Sequence, residues 1–148
     1  MVDVDELIVP RHPDDMTWTD MIQRTQCGTD VASYQGRHIL YRADPNNTKY
    51  GIVMLDWLQR SSIIYKSPER SKCFAYSLRT NFHLLTHTVE VADESRICVM
   101  PVELGGNHHY RKKLLQIANS TWLLDQTPHK YMRRCLNNLR FKSTDNLN

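Results

Sequence analysis

Apolar residues at helical spacing place the strongest constraint on the fold of this 148-residue chain. Tyr50, Val53, Met54, Trp57 and Leu58 fall at i, i+3, i+4, i+7 and i+8, one face of a helix, and Ile52 and Leu55 widen it. A face that broad belongs in a core. The spacing predicts a central helix, capped by Asn47 or Thr48 after the turn Asp44-Pro45-Asn46-Asn47.

Other start and stop signals extend the reading. Asp14 or Asp15 caps a short helix through Trp18, Met21 and Ile22 to about Gln26, with Gly28 ending it. His38-Ile39-Leu40-Tyr41 reads as a short strand, and Ile63, Ile64 and Tyr65 form a second β-prone run. Ser67-Pro68-Glu69 opens a helix toward Thr86, with Phe74, Leu78, Phe82 and Leu85 inward. Residues 88–92 and 96–102 form a hairpin around Asp93-Glu94-Ser95. Gly105-Gly106 breaks the chain, and Asn107 caps a basic helix with Tyr110, Leu114, Ile117, Ala118 and Trp122 on one face. Thr127-Pro128 opens the last helix, with Met132, Cys135, Leu136 and Leu139 inward and Lys130, Arg133, Arg134, Asn137 and Asn138 outward. The expected class is α+β: one helix-rich domain over 1–148, with about five helices and a small antiparallel sheet of three or four short strands. Residues 1–12 are expected to be extended and 143–148 frayed.

The ordinary apolar and charged content suits a packed domain rather than a disordered chain. The acidic start, MVDVDELIVPRHPDD, lacks the basic-then-apolar order of a secretory signal. The longest apolar stretch, 51–58, is interrupted by Asp56 and falls far short of the roughly 20 residues of a membrane span. These features point to a cytoplasmic or nuclear protein with no membrane partner. Cys27, Cys73, Cys98 and Cys135 are widely spaced with no CxxC pair, so reduced, mostly buried thiols are expected.

Charge is distributed with a strong polarity. Residues 1–30 hold seven acids against two bases, and residues 104–148 hold eight bases against two acids. A basic C-terminal region suits nucleic acid or an acidic protein surface as partner. Arg111, Lys112 and Lys113 fall in the first turn of one predicted helix, and Lys130, Arg133, Arg134, Asn137 and Arg140 on the next. A hairpin of these two helices would resemble a helix-turn-helix, with the second helix offering Lys, Arg and Asn to phosphates and base edges. The expected function is a small non-enzymatic regulatory or accessory protein that binds nucleic acid through these residues. The string Thr127-Pro128-His129-Lys130-Tyr131-Met132-Arg133-Arg134 resembles the segment that links the two DNA-binding subdomains of AraC-type regulators. The resemblance covers a short part of the chain, lacks the second subdomain that would follow, and is set aside.

Two further chemistries are weighed. His83 and His87, at i and i+4 of the predicted long helix, would with Cys98 make a three-ligand zinc site. No glutamate lies between the two histidines to act as a base, so the zinc-protease pattern is absent; no cofactor is expected, with zinc on these three residues as the alternative. His108 and His109, after Gly105-Gly106, would pair with Glu90 or Glu103, joined by His38, as a general base toward a phosphodiester. Trp18, Trp57 and Trp122 are core candidates, while Arg37, His38, Tyr41 and Arg42 would stack on a base if exposed. The acidic head alternates acid with apolar residues. It suits an edge strand or docking peptide, and hence an interaction module or a homodimer.

Overall fold

The structure, a computed structural model, describes residues 5–43, 49–84, 87–92, 95–111 and 121–137. Strands, not helices, build it. In chain order they are β1 (Glu6–Pro10), β2 (Val31–Arg42), β3 (Gln59–Ile64), β4 (Lys72–Ala75), β5 (Thr80–Leu84), β6 (Val89–Val91), β7 (Arg96–Val99), β8 (Gly105–Arg111) and β9 (Trp122–Leu124). The helices are α1 (Trp18–Thr25), the short α2 (Val53–Asp56), and 3-10 turns at Ser77–Arg79 and Thr127–Tyr131, the latter continuing as helix over 132–137. The expected helix-rich domain with about five helices is therefore overturned, as is the small antiparallel sheet.

The spine is β2, whose twelve residues serve two sets of neighbours. Its second half lies between β8, parallel, and β3, antiparallel, in the order β1-β8-β2-β3-β9. Its first half pairs with β4, antiparallel, and β7, parallel. Together these strands form a seven-stranded mixed sheet, and β5 and β6 form a separate ribbon. Being covered on both faces, β2 is buried nearly throughout. That removes the polar–apolar alternation by which an exposed strand is read and explains why only its 38–41 stretch stood out.

The predicted central helix shrinks to Val53–Asp56 for local reasons. Gly51 takes a positive φ of 65°, which ends any helix begun at 48. The Asp56 carboxylate accepts from the backbone of Tyr50 at 2.9 Å and Ile52 at 3.1 Å, and so fastens a turn instead. Over 67–84 the predicted helix is replaced by β4, a 3-10 turn and β5, because Cys73 and Phe74 pair with Gln35 and Tyr34 of β2; 85–86 lie outside the described residues. Here sheet pairing outweighs local helical propensity. The 88–92 and 96–102 strands exist but do not form a hairpin: β6 pairs with β5, and β7 with β2.

The basic helix expected from 107 is strand β8 as far as Arg111, and residues 112–120 lie outside the described residues. Gly105-Gly106 does not break the chain but starts β8. A Cβ on Gly106 would lie 2.6 Å from Ile39 Cδ1, and one on Gly105 would collide with Met21. Strand β8 can approach β2 and α1 only because these positions lack side chains. The first helix matches expectation in place but is capped by Thr17, in a reciprocal capping box with Asp20, rather than by Asp14 or Asp15. Cys27 and Cys98 are joined in a disulfide across 71 residues, against the expectation of reduced thiols, while Cys73 and Cys135 are free.

The core has two parts. Ile8, Met21, Val31, Tyr34, Cys98 and Met100 pack beneath α1, and Ile39, Tyr41 and Tyr110 pack against Met54, Trp57 and Val102. Of the tryptophans placed in the core, Trp57 flanks it, Trp122 is half-buried and Trp18 is 55% exposed. Among the described residues no helix is long and apolar enough to cross a membrane.

Candidate functional site

Strand β8 runs Gly-Gly-Asn-His-His-Tyr-Arg and lies inside the sheet, between β1 and β2. Successive side chains of a strand point to opposite faces. His108 and Tyr110 therefore go to one face, and Asn107, His109 and Arg111 to the other. Parallel pairing with β2 aligns Tyr41 with Tyr110 and Arg42 with Arg111, while antiparallel pairing sets Glu6 of β1 opposite His109.

On the first face a closed polar network surrounds Asp125, just after β9. Its Oδ2 lies 2.8 Å from Arg11 Nη2, 2.8 Å from the donating Tyr41 hydroxyl and 3.1 Å from Arg60 Nε. Its Oδ1 accepts from the backbone N–H of Thr127 at 3.0 Å. Burial pushes the carboxyl up, but Arg11 and the bonds from Thr127 and Tyr41 outweigh it and hold it well below the usual carboxylate range. Arg11 Nη1 lies 2.9 Å from His108 Nε2, which fixes that nitrogen as an acceptor and the imidazole as neutral. Burial, then Arg11, keeps the His108 pKa well below its ordinary value. Every group here has a partner within the molecule, so this network ties β1, β2, β3, β8 and β9 together.

The second face differs. His109 Nδ1 lies 2.8 Å from His38 Nε2 and 3.2 Å from Glu6 Oε1. Its Nε2 lies 3.1 Å from Asp5 Oδ2 and 2.9 Å from Arg111 Nε. The other Glu6 oxygen lies 3.2 Å from the buried Lys72 ammonium. Among the described residues His38 Nδ1 has no hydrogen-bond partner. Burial, then the charges of His109, Arg70 and Arg111, pushes the His38 pKa down to about 3. Glu6, His38 and His109 each offer one ligand atom within 4.8 Å of the others, all three residues being buried. A carboxylate and two imidazoles in this arrangement can hold a metal ion.

Around this cluster runs a rim of arginines and rings. The Tyr65 ring meets His38 edge-on at 5.3 Å, and Arg70 lies over Tyr65 at 4.9 Å. On the opposite side Arg111 leans on His109. Its register partner Arg42 lies over the Trp122 ring at 4.5 Å and donates from Nε to Gln59 at 2.6 Å. Arg70 and Arg111 are exposed, and Arg42, Tyr65 and Trp122 half-buried. The ion pairs between described residues take Arg11, Arg24, Arg60, Lys72 and Arg96 as their arginine and lysine members; Arg42, Arg70 and Arg111 are not among them.

The residues expected to contact nucleic acid are scattered. Arg111 ends β8, while Lys112, Lys113 and Arg140 lie outside the described residues. Arg133, Arg134 and Asn137 are exposed on the 132–137 helix. Lys130 points inward instead, donating to the carbonyls of His12 at 2.6 Å and Asp15 at 2.7 Å. The first helix of the expected hairpin does not start at Asn107, because 107–111 is strand, and 112–120 lie outside the described residues. The zinc set does not assemble either: Cys98 is in the disulfide, His83 belongs to β5, and His87 lies in a turn with Nδ1 3.2 Å from the Ser71 carbonyl. His109 does meet carboxylates, but they are Asp5 and Glu6, not Glu90 or Glu103. His38 and Tyr41 are buried and present no face to a base; of the rest of that group, Arg42 is half-buried at the rim and Arg37, an odd number of positions away on β2, is exposed on the other face.

The Glu6, Lys72 and Asp125 contributions were not foreseen. The signal for Glu6 was its place in Glu-Leu-Ile-Val-Pro, an edge strand whose inward side carries one acid. On the opposite face an apolar trough of about 600 Å³ runs past Leu7, Met16, Trp18, Met54 and Tyr131. No protein-family profile matches this chain, and comparison with curated proteins and with solved structures likewise gives no match.

Proposed function

We propose that this chain binds single-stranded nucleic acid on the sheet face that carries Arg42, Arg70 and Arg111. The observation that carries the reading is the side-by-side register of Arg42 and Arg111, with Arg42 and Arg70 each laid over an aromatic ring. Guanidinium groups take phosphate oxygens in a two-pronged manner. Guanidinium planes and rings also stack on unpaired bases, whatever their sequence.

Arg111 lies on strand β8 rather than on a groove-reading helix, which favours an unpaired strand over duplex DNA as its partner. An acidic protein surface would satisfy the charge but offers no bases for the stacked planes. Arg133, Arg134 and Asn137 form a separate exposed group on the 132–137 helix, and the proposal assigns them no primary role.

Three arginines that each displace a counterion give a binding constant falling with salt at a log–log slope of about −2. Fluorescence anisotropy with a labelled single-stranded RNA across a salt series tests this. Binding with that slope supports the proposal, and absence of binding at low salt contradicts it.

A further inference from the structure

We infer that Glu6, His38 and His109 form a binding site for a divalent transition-metal ion of the zinc type, with Asp5 orienting His109 from outside the ligand set. The first ground is convergence. Glu6 Oε1, His38 Nε2 and His109 Nδ1 lie within 4.8 Å of one another, and all three residues are buried. With its proton on Nδ1, an atom with no hydrogen-bond partner among the described residues, His38 turns the Nε2 lone pair toward the other two. A cation at the point of convergence takes one lone pair from each of the three.

The second ground is what stands behind the ligands. A metal-bound imidazole ordinarily donates its other N–H to a carboxylate, which fixes its orientation. His109 Nε2 lies 3.1 Å from Asp5 Oδ2, in place for that donation, and on metal binding the Arg111 contact to the same nitrogen is given up. Glu6 is held at its far oxygen by Lys72 at 3.2 Å, and its Oε1 accepts from Asn107 Nδ2 at 3.4 Å while facing His109 Nδ1 at 3.2 Å. Neighbouring ligand atoms around a tetrahedral zinc lie about 3.3 Å apart. The Glu6–His109 separation of 3.2 Å already matches, and the His38–His109 separation of 2.8 Å has to open slightly. Two imidazoles and a carboxylate are a zinc-type donor set with one position left for water or an anion. The Lys72 and Arg111 charges oppose a cation and weaken the site relative to one without them.

The test uses the full chain, stripped with a chelator and titrated with Zn²⁺ by calorimetry and with Co²⁺ by visible absorption. One ion per chain with nitrogen-ligand cobalt bands is expected. Affinity falls by about tenfold or more in Asp5→Asn, whose half-exposed side chain can change without disturbing the core, and is lost in His109→Gln. Lys72→Met separates a metal centre from a simple ion pair: Zn²⁺ binds it more tightly than the parent chain and restores its melting temperature. Absence of one-to-one uptake by the folded parent chain overturns the site. So does uptake that Asp5→Asn and His109→Gln leave unchanged.

Discussion

His108 and His109 are adjacent in β8, yet their imidazoles serve opposite faces of the sheet. His108 Nε2 meets Arg11 at 2.9 Å, and His109 Nδ1 meets His38 at 2.8 Å. One histidine thus belongs to a saturated structural network and its neighbour to the cluster beneath the arginine rim. Identical residue types, one position apart, receive different chemistry because a strand sends them to different surroundings.

The saturated side makes a stability prediction. Asp125 holds Arg11 and Arg60 in ion pairs at 2.8 and 3.1 Å with its side chain 5% exposed. Asp125→Ala leaves two guanidinium groups facing each other without an anion. Breaking a buried pair from one side costs about 3–5 kcal/mol, and urea denaturation of the variant is expected to show a loss of that order. A loss below about 1 kcal/mol would mean that solvent replaces the carboxylate readily.

Two groups of the same network set its pH limits. Asp125 titrates lower in the fold than its ordinary 3.8, so its contribution is complete above that value and is lost as pH falls below it. Burial raises the Tyr41 hydroxyl above its ordinary 10.0. Its contribution is complete below pH 10 and is lost as pH rises past it, because the unfolded chain then releases a proton that the fold retains. Chemical denaturation above pH 10 is expected to show stability falling by up to about 1.4 kcal/mol per unit from this one group. Tyr41→Phe removes that component of the slope.

The disulfide makes a third prediction. Cys27 and Cys98 close a loop with a sequence separation of 71, joining the turn after α1 to β7. Cross-linking a loop of that length restricts the unfolded chain by about 4 kcal/mol. Reduction under native conditions, or Cys27→Ser/Cys98→Ser, is expected to lower the melting temperature markedly. Mass analysis of the alkylated, unreduced protein is expected to find Cys73 and Cys135 labelled and the other pair protected. Labelling of all four would contradict the pairing.

The sequence was legible where structure is local. The α1 helix, the strand character of 38–41 and 63–64, and the turn start at Thr127-Pro128 all rest on caps, turns and short runs. Long-range pairing was not legible. The helical spacing of 50–58 is real, but Gly51 and the Asp56 turn override it. Gly105-Gly106 reads as a break by composition; only the presence of Ile39 and Met21 beside them shows that they admit close packing. The site depends on the same long-range information. Glu6, His38 and His109 are separated by up to 103 positions and meet because β8 inserts between β1 and β2. The charge polarity pointed to a basic surface, but Lys130 turns inward and Arg42 and Arg70, from other parts of the chain, join Arg111.

The most direct test compares two double variants for binding of labelled single-stranded RNA at low and moderate salt. Arg42→Glu/Arg111→Glu reverses two charges on the sheet face, and Arg133→Glu/Arg134→Glu reverses two on the 132–137 helix. Binding abolished by the first pair and only modestly weakened by the second is the predicted result. Binding that survives the first pair and is lost with the second would contradict the sheet face as the contact surface.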